Sequence, residues 1–341
     1  RSFIGGGTDG YVNEAYGYPQ TFMMWDIASL QYLYGANFNT NNTDTTYTFS
    51  PTTGEMSING VGQGAPGAGA GGLSNRVFLT IWDGGGADTY DFSNYTTNQS
   101  IDLSPGGWSL LSAAQLAALR APGAEAAVFA RGNVFNALQF QNDARSLIEN
   151  ANGGSGNDTI TGNAANNFLQ GNGGADLIVG GAGNDTMIGG AGADAFDGGD
   201  GIADWVTYFD APSIALFMTN AAASTGEAQG DTFANVEFFG LTNAGGDTFF
   251  GGAGREIVFG YGGSDILFGN AGNDSMYGQV GNDFLLGGDG ADFLDGGDGA
   301  GFDAVFYGDS PTGVSLNLVT GVHSGFAAGD SLIGIEGYLL T

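Results

Sequence analysis

From residue 153 onward the apolar positions recur every nine residues, a period that fits neither a long amphipathic helix nor a simple alternating strand. Between Gly153 and Asp197 the chain divides without a gap into five nonapeptides, GGSGNDTIT, GNAANNFLQ, GNGGADLIV, GGAGNDTMI and GGAGADAFD. Five more run from Gly251 to Asp295: GGAGREIVF, GYGGSDILF, GNAGNDSMY, GQVGNDFLL and GGDGADFLD, with a lead-in nonamer, TNAGGDTFF, at Thr242. In all ten main units position one is Gly. Position eight is apolar in each: Ile160, Leu169, Ile178, Met187, Phe196, Val258, Leu267, Met276, Leu285 and Leu294. Such self-similarity marks a solenoid, in which one repeat cannot bury its apolar face alone and stacking builds a continuous core. Positions seven to nine predict a short strand whose middle side chain turns inward, and two nonamers make one turn. The fold class expected is all-β: a parallel β-roll in two blocks with β-rich spacer segments, plus an N-terminal linker region containing a helix.

Each block is followed by a segment without the nine-residue period, and the two segments match at a spacing of 99 residues. Asp204-Trp-Val-Thr-Tyr208 answers Asp303-Ala-Val-Phe-Tyr307, Gly230-Asp231 answers Gly329-Asp330, and Glu237 answers Glu336. Alternation in Gly313-Val-Ser-Leu-Asn-Leu-Val319 predicts a strand, packed on the roll as a cap or spacer. Thr341 falls where the next lead-in nonamer would begin, so either a longer array or a cap on the end of the chain is expected. Before Gly153 the texture changes. A helix is predicted over Thr21–Tyr34, introduced by Pro19 and ended by Gly35, with Met23, Ile27, Leu30 and Tyr34 on one face. Residues 76–92 and Ser100–Leu103 read as strands, Gly60–Gly72 as a loop, and Ser112–Arg120 as a second helix.

Composition turns this scaffold toward a cation. The chain has 66 glycines, no lysine, 36 acidic residues against six arginines, and a formal net charge of -30. That charge repels nucleic acid and anionic lipid. Without cysteine, thiolate sites are excluded and oxygen ligands remain, which suits a hard cation such as calcium. No run of 18 apolar residues predicts a membrane span, and no charged-then-apolar leader is visible.

Within each Gly-Gly-x-Gly-x-Asp loop the glycines let backbone carbonyls converge, and the aspartate adds a charged oxygen. Calcium takes six to eight oxygens, more than one loop offers, so two stacked loops are expected to share each ion. The candidate ligating positions are Gly154, Gly156 and Asp158; Gly174 and Asp176; Gly183 and Asp185; Gly192 and Asp194; Asp247; Gly263 and Asp265; Gly272 and Asp274; Gly281 and Asp283; and Gly290 and Asp292. Two carboxylates about 4 Å apart repel by roughly 1 kcal/mol in water and about 4 kcal/mol at a protein surface. The stack is therefore expected to need its metal. Weaker sites are expected where Ala165 and Asn167, or Arg255 and Glu256, replace the pattern. The lone histidine, His323, lies in a Gly/Ser loop and is not expected to ligate metal or act as a base.

The nonamers resemble the RTX repeats of bacterial proteins exported by type I secretion. The stretch Tyr16-Gly-Tyr-Pro-Gln-Thr-Phe-Met-Met-Trp-Asp-Ile-Ala-Ser-Leu-Gln-Tyr-Leu-Tyr-Gly-Ala-Asn37 resembles the segment of serralysin-type zinc metalloproteases that joins catalytic and RTX domains. Trp82-Asp-Gly-Gly-Gly-Ala-Asp-Thr-Tyr-Asp-Phe-Ser93 and Ile148-Glu-Asn-Ala-Asn-Gly-Gly-Ser-Gly-Asn-Asp158 also match. The resemblance implies that Asp83, Gly85, Gly86 and Asp88 hold a calcium ahead of the roll and that Glu149 helps hold another. It also implies zinc only in an upstream domain: the family's HExxHxxGxxH helix is absent here, so no catalytic residue is assigned and no peptidase activity is expected of this chain. Arg1 would lie just past the family's methionine turn.

The expected division is 1–50 linker following a missing catalytic domain, 51–152 β-rich cap, 153–197 first roll, 198–241 spacer, 242–295 second roll and 296–341 second spacer. The expected function is a calcium-binding module of a secreted protein, extracellular or at the cell surface. It would serve calcium-triggered folding, type I export and stabilisation of a covalently linked upstream protease. Calcium ions and that upstream domain are the expected partners. The alternative is a self-assembling surface-layer, filament or adhesin protein.

Overall fold

A computed structural model describes residues 19–66, 75–119, 128–297 and 301–340. The chain forms two compact units, residues 1–185 and 186–341. Both are dominated by short parallel strands, as expected of an all-β parallel roll. In the first unit Thr46–Phe49 pairs in parallel with Thr89–Asp91, which pairs with Asn150–Asn152, which pairs with Phe168–Gly173. Facing strands run Ser100–Asp102, Thr159–Thr161 and Leu177–Ala182. A separate small sheet joins Leu79–Ile81, Val134–Asn136 and Trp108–Ser109.

In the second unit one sheet runs from Thr186–Ala191 through Trp205–Thr207, Phe238–Gly240, Ile257–Phe259, Ser275–Tyr277 and Phe293–Asp295 to Ser331–Ile333. Another runs from Ala215–Phe217 through Thr248–Phe250, Ile266–Ala271, Phe284–Asp289 and Ala304–Phe306 to Gly337–Leu339. The register aligns Phe239, Val258, Met276 and Leu294 in one column and Leu216, Phe249, Leu267, Leu285 and Val305 in the other. All nine are fully buried. Each is the middle residue of a three-residue pairing, and period-two alternation sends its neighbours to the outer face. There aromatic rings stack along the solenoid. Phe217, Phe250 and Phe268 lie 4.5 and 4.3 Å apart, and Trp205, Phe259 and Tyr277 lie 5.1 and 4.7 Å apart.

Several local expectations change. The non-repetitive segments do not merely cover the roll: Trp205–Thr207 and Phe238–Gly240 lie inside its sheet as successive strands. The first helix is Met24–Tyr34, closed by Gly35, whose N–H donates to the Gln31 carbonyl. Its expected apolar face is not packed: Met23 is buried, whereas Leu30 and Tyr34 are exposed. The second expected helix is only a turn at Ala113–Gln115. Long-range partners override its local Ala/Leu preference. Tyr95 donates its hydroxyl to Gln115 Oε1 at 2.8 Å, and Ala117 and Leu119 bond to the backbone of Ala130 and Val128. Arg120 lies outside the described residues, as do the first three residues of the Tyr16–Asn37 segment, residues 67–72 of the expected loop, and Thr341. Residues 76–92 form two strands separated by the Asp83–Asp88 loop, and Gly313–Val319 forms no strand, only a bridge from Ser315 to Ser324. Its counterpart Ala215–Phe217 is a strand because Thr248–Phe250 lies beside it. Among the described residues, 315–317 have no such neighbour.

Candidate metal centre

The sequence-predicted aspartates are brought into register by the stacking of coils. Asp247 donates its backbone N–H to Asp265 Oδ1 at 2.8 Å, Asp265 to Asp283 Oδ1 at 2.9 Å, and Asp283 to Asp303 Oδ1 at 2.8 Å. A second series runs from Glu256 to Asp274, from Asp274 to Asp292 and from Asp292 to Asp330, each at 2.9 Å. In the first unit Asp158 N–H meets Asp176 Oδ1, and Asn167 N–H meets Asp185 Oδ1, both at 2.7 Å. Asp194 N–H reaches Asp231 Oδ1 at 2.8 Å. Each rung thus uses one carboxylate oxygen to hold the loop one turn earlier.

The other oxygen is the chemically informative one. Oδ2 of Asp88, Asp265, Asp274, Asp283 and Asp292 is buried and receives no hydrogen bond. A carboxylate oxygen buried without a donor carries a large desolvation penalty. Burial accordingly pushes the Asp265 and Asp292 carboxyls up to about 7 and Asp283 up to about 6. In the Asp83–Asp88 loop burial, with Asp83 beside it, pushes Asp88 up to about 8, and burial pushes Glu149 up to about 7.

Glycine makes room for these carboxylates. A Cβ built on Gly153 would lie 2.6 Å from Asp158 Oδ2, and one on Gly251 would lie 2.8 Å from Glu256 Oε2. At Gly260, Gly269, Gly278 and Gly287 it would meet Oδ2 of Asp265, Asp274, Asp283 and Asp292 more closely still. Position one is therefore Gly because the carboxylate of position six occupies the space of its side chain. At position four, Gly174, Gly183, Gly192, Gly263, Gly272 and Gly281 take positive φ, and Gly290 abuts the backbone of Gly272 one turn earlier. Gly154 and Gly156 likewise abut the Tyr95–Asn98 segment.

The remaining predicted residues lie in and beside the Asp83–Asp88 loop. Gly85 and Gly86 have positive φ, Gly85 N–H bonds to Asp83 Oδ1 at 2.9 Å, and Asp88 N–H bonds to Glu149 Oε2 at 2.8 Å. Asp83 itself is already engaged, because Tyr47 donates its hydroxyl to Oδ2 at 2.6 Å. Asp44, which the sequence did not single out, accepts Ala87 N–H at 3.0 Å. The outer rungs Asp158 and Asp247 are closed too: Gly154 N–H bonds to Asp158 Oδ2, and Thr242 N–H and hydroxyl both bond to Asp247 Oδ2, each at 2.8 Å. In the irregular second nonamer the Asn167 side-chain amide donates to the Glu149 carbonyl at 2.8 Å. A neutral donor there meets an acceptor where the consensus would place an anion.

Six rungs escaped sequence reasoning: Asp204, Asp231, Glu237, Asp303, Asp330 and Glu336. Asp204 N–H bonds to Glu237 Oε2 at 3.0 Å and Asp303 N–H to Glu336 Oε2 at 2.9 Å, an atomic echo of the 99-residue repeat. The signal was present in the pairs Gly198-Gly199 and Gly296-Gly297, which open like nonamers but reach their aspartate late. Among the described residues no three Asp, Glu, His or Cys side chains form one cluster. The donor set that fits a hard cation here is one or two carboxylates with backbone carbonyls, consistent with calcium.

Comparison with known proteins agrees. The RTX calcium-binding nonapeptide repeat matches at residues 152–187, 170–202, 241–276 and 268–302, and the serralysin C-terminal region of peptidase M10 matches at 36–114. Metallopeptidase AprA of Pseudomonas marginalis is 32% identical over 160 residues, which is 47% of this chain and 25% of that protein. Serralysin B of Dickeya chrysanthemi is 37% identical over 138 residues, 40% of this chain and 22% of that protein, and serralysin of Proteus mirabilis is 36% identical over the same shares. The chain thus spans about a quarter or less of the length of these relatives. It carries RTX calcium-binding repeats together with a serralysin C-terminal region.

Proposed function

We propose that the chain is a calcium-built carrier module of a secreted, serralysin-like zinc metalloprotease, folding when it meets extracellular calcium after type I export and stabilising an upstream catalytic domain. The observation that carries the calcium step is the set of buried, donor-free oxygens on Asp265, Asp274, Asp283 and Asp292. Successive rungs stand one strand spacing apart, about 4.8 Å, where like charges repel by roughly 3 kcal/mol at an effective dielectric of 20. Calcium held there would neutralise these charges and draw the loop carbonyls together. Asp88, Asp176, Asp185 and Asp194, with the glycines at positions two and four, are proposed to hold ions through carboxylate and backbone carbonyl oxygens, and Glu149 to help at the Asp88 loop. Catalysis and zinc are assigned to the upstream domain, and the six-part division into linker, cap, two rolls and two spacers is retained as a proposal.

Circular dichroism of the chain tests this reading. Addition of millimolar calcium to chelator-treated protein should generate the β signal; full β-structure in excess chelator overturns it. The 99-residue echo also supports a second reading, a repeating calcium-dependent array. Calcium-induced sedimentation of the purified chain would favour that alternative, and a monomer in saturating calcium would favour the carrier.

A further inference from the structure

The two segments that interrupt the nonamers repeat one buried contact. Tyr208 donates its hydroxyl to Asp231 Oδ2 at 2.6 Å, and Tyr307 donates to Asp330 Oδ2 at 2.7 Å. The four residues are 2, 1, 1 and 5% exposed respectively. Both aspartates are full members of the ladder, since Oδ1 of each accepts the N–H of the rung before it, Asp194 or Asp292. That is the bond by which Asp283 receives Asp265. The difference lies in the second oxygen. In Asp265, Asp274, Asp283 and Asp292 it is buried and receives nothing, whereas in Asp231 and Asp330 a phenol fills it.

We propose that Tyr208 and Tyr307 close these two positions to calcium: each hydroxyl satisfies its carboxylate in place of an ion, so the Asp231 and Asp330 rungs bind none and bound the series of ion-requiring rungs. A short hydrogen bond from a neutral hydroxyl to a carboxylate is among the stronger protein contacts, and it satisfies the oxygen without adding a charge. Each tyrosine directly follows a ladder strand, Trp205–Thr207 or Ala304–Phe306, so its ring is anchored by the stack it serves. Burial and the neighbouring carboxylates push both phenols up, which keeps them protonated as donors.

The inference rests on the calcium reading above, and the two can fail separately. Ions bound per chain are counted by equilibrium dialysis in saturating calcium, with circular dichroism confirming the roll. Asp231→Asn and Asp330→Asn should leave the count unchanged, whereas Asp283→Asn should lower it by at least one. Tyr208→Phe and Tyr307→Phe expose the carboxylate oxygen, so each should add an ion or raise the calcium midpoint of folding severalfold. The inference is overturned if Asp231→Asn or Asp330→Asn lowers the count as Asp283→Asn does. It is equally overturned if both phenylalanine variants keep the wild-type count and midpoint. Absence of bound calcium in the unmodified chain overturns the calcium reading itself, and this inference with it.

Discussion

The region from Val77 to Asn136 and the nonamers from Gly260 to Asp295 bury polar side chains by opposite means. In the first, Asp88 Oδ2 and Gln99 Oε1 apart, the buried side chains are joined by protein donors. Tyr90 hydroxyl meets Asn136 Oδ1 at 2.7 Å, Tyr95 hydroxyl meets Gln115 Oε1, and Asn133 Oδ1 takes Leu111 N–H at 2.8 Å. In the second, the carboxylates stack in two buried series and each leaves one oxygen open. The first region is mostly a hydrogen-bonded core; the second, on the proposed reading, is completed by cations. Chelation is therefore the largest perturbation. In excess chelator, hydrogen exchange should show loss of protection across Val258, Met276 and Leu294, with a smaller loss at Leu79–Ile81 and Val134–Asn136. Equal loss in both regions would show that the contrast has no energetic content.

Substitution sharpens the comparison. Gly278→Ala would place a methyl where Asp283 Oδ2 sits, so it should destabilise the calcium-loaded chain by about 3 kcal/mol, as expected of strain in a closed interior. Gly313→Ala meets nothing within 4 Å and should stay within about 0.5 kcal/mol of wild type. Denaturant melts in saturating calcium compare the two.

Much of this contrast was legible in the primary structure, because a strict nine-residue period leaves little freedom. The apolar residue at position eight, the Gly at position one and the Asp at position six each have one geometric role. All ten position-eight residues are buried. What was hidden depends on distance in sequence. Nothing around Ala113 announces that Tyr95 and Val128 will recruit its neighbours out of a helix. Nothing local to Asp231 announces that Tyr208, 23 residues earlier, will close it. Insertions hid the remaining rungs, since Asp283 and Asp303 lie 20 residues apart where regular rungs lie 18 apart.

Acidity offers a milder test. Burial raises Asp265 and Asp292 to about 7 and Asp283 to about 6, from an ordinary value of 3.8. A carboxyl whose folded value is raised favours the fold when protonated. That contribution is complete below about 4 and is lost as pH rises through 6 to 7. Metal-free chain should thus hold more β-structure at pH 4.5 than at pH 8, and calcium should remove the difference. A metal-free signal that grows with pH would contradict the burial of unneutralised carboxylates.

The smallest change converts one kind of rung into the other. Asn167 satisfies itself: its Oδ1 accepts Asn163 N–H at 2.8 Å while its amide donates to the Glu149 carbonyl. Asn167→Asp keeps the shape and the first bond but loses the donor and adds a buried charge. Without calcium the variant should be less stable by about 1 to 3 kcal/mol, the cost of one unsatisfied buried acceptor. With calcium the loss should shrink, and the number of ions bound should rise by one if the neighbouring carbonyls complete a site. Denaturation with and without metal separates the terms: a loss that calcium does not recover means that Ala165, which replaces the position-four glycine, keeps the loop from gathering its oxygens whatever stands at residue 167.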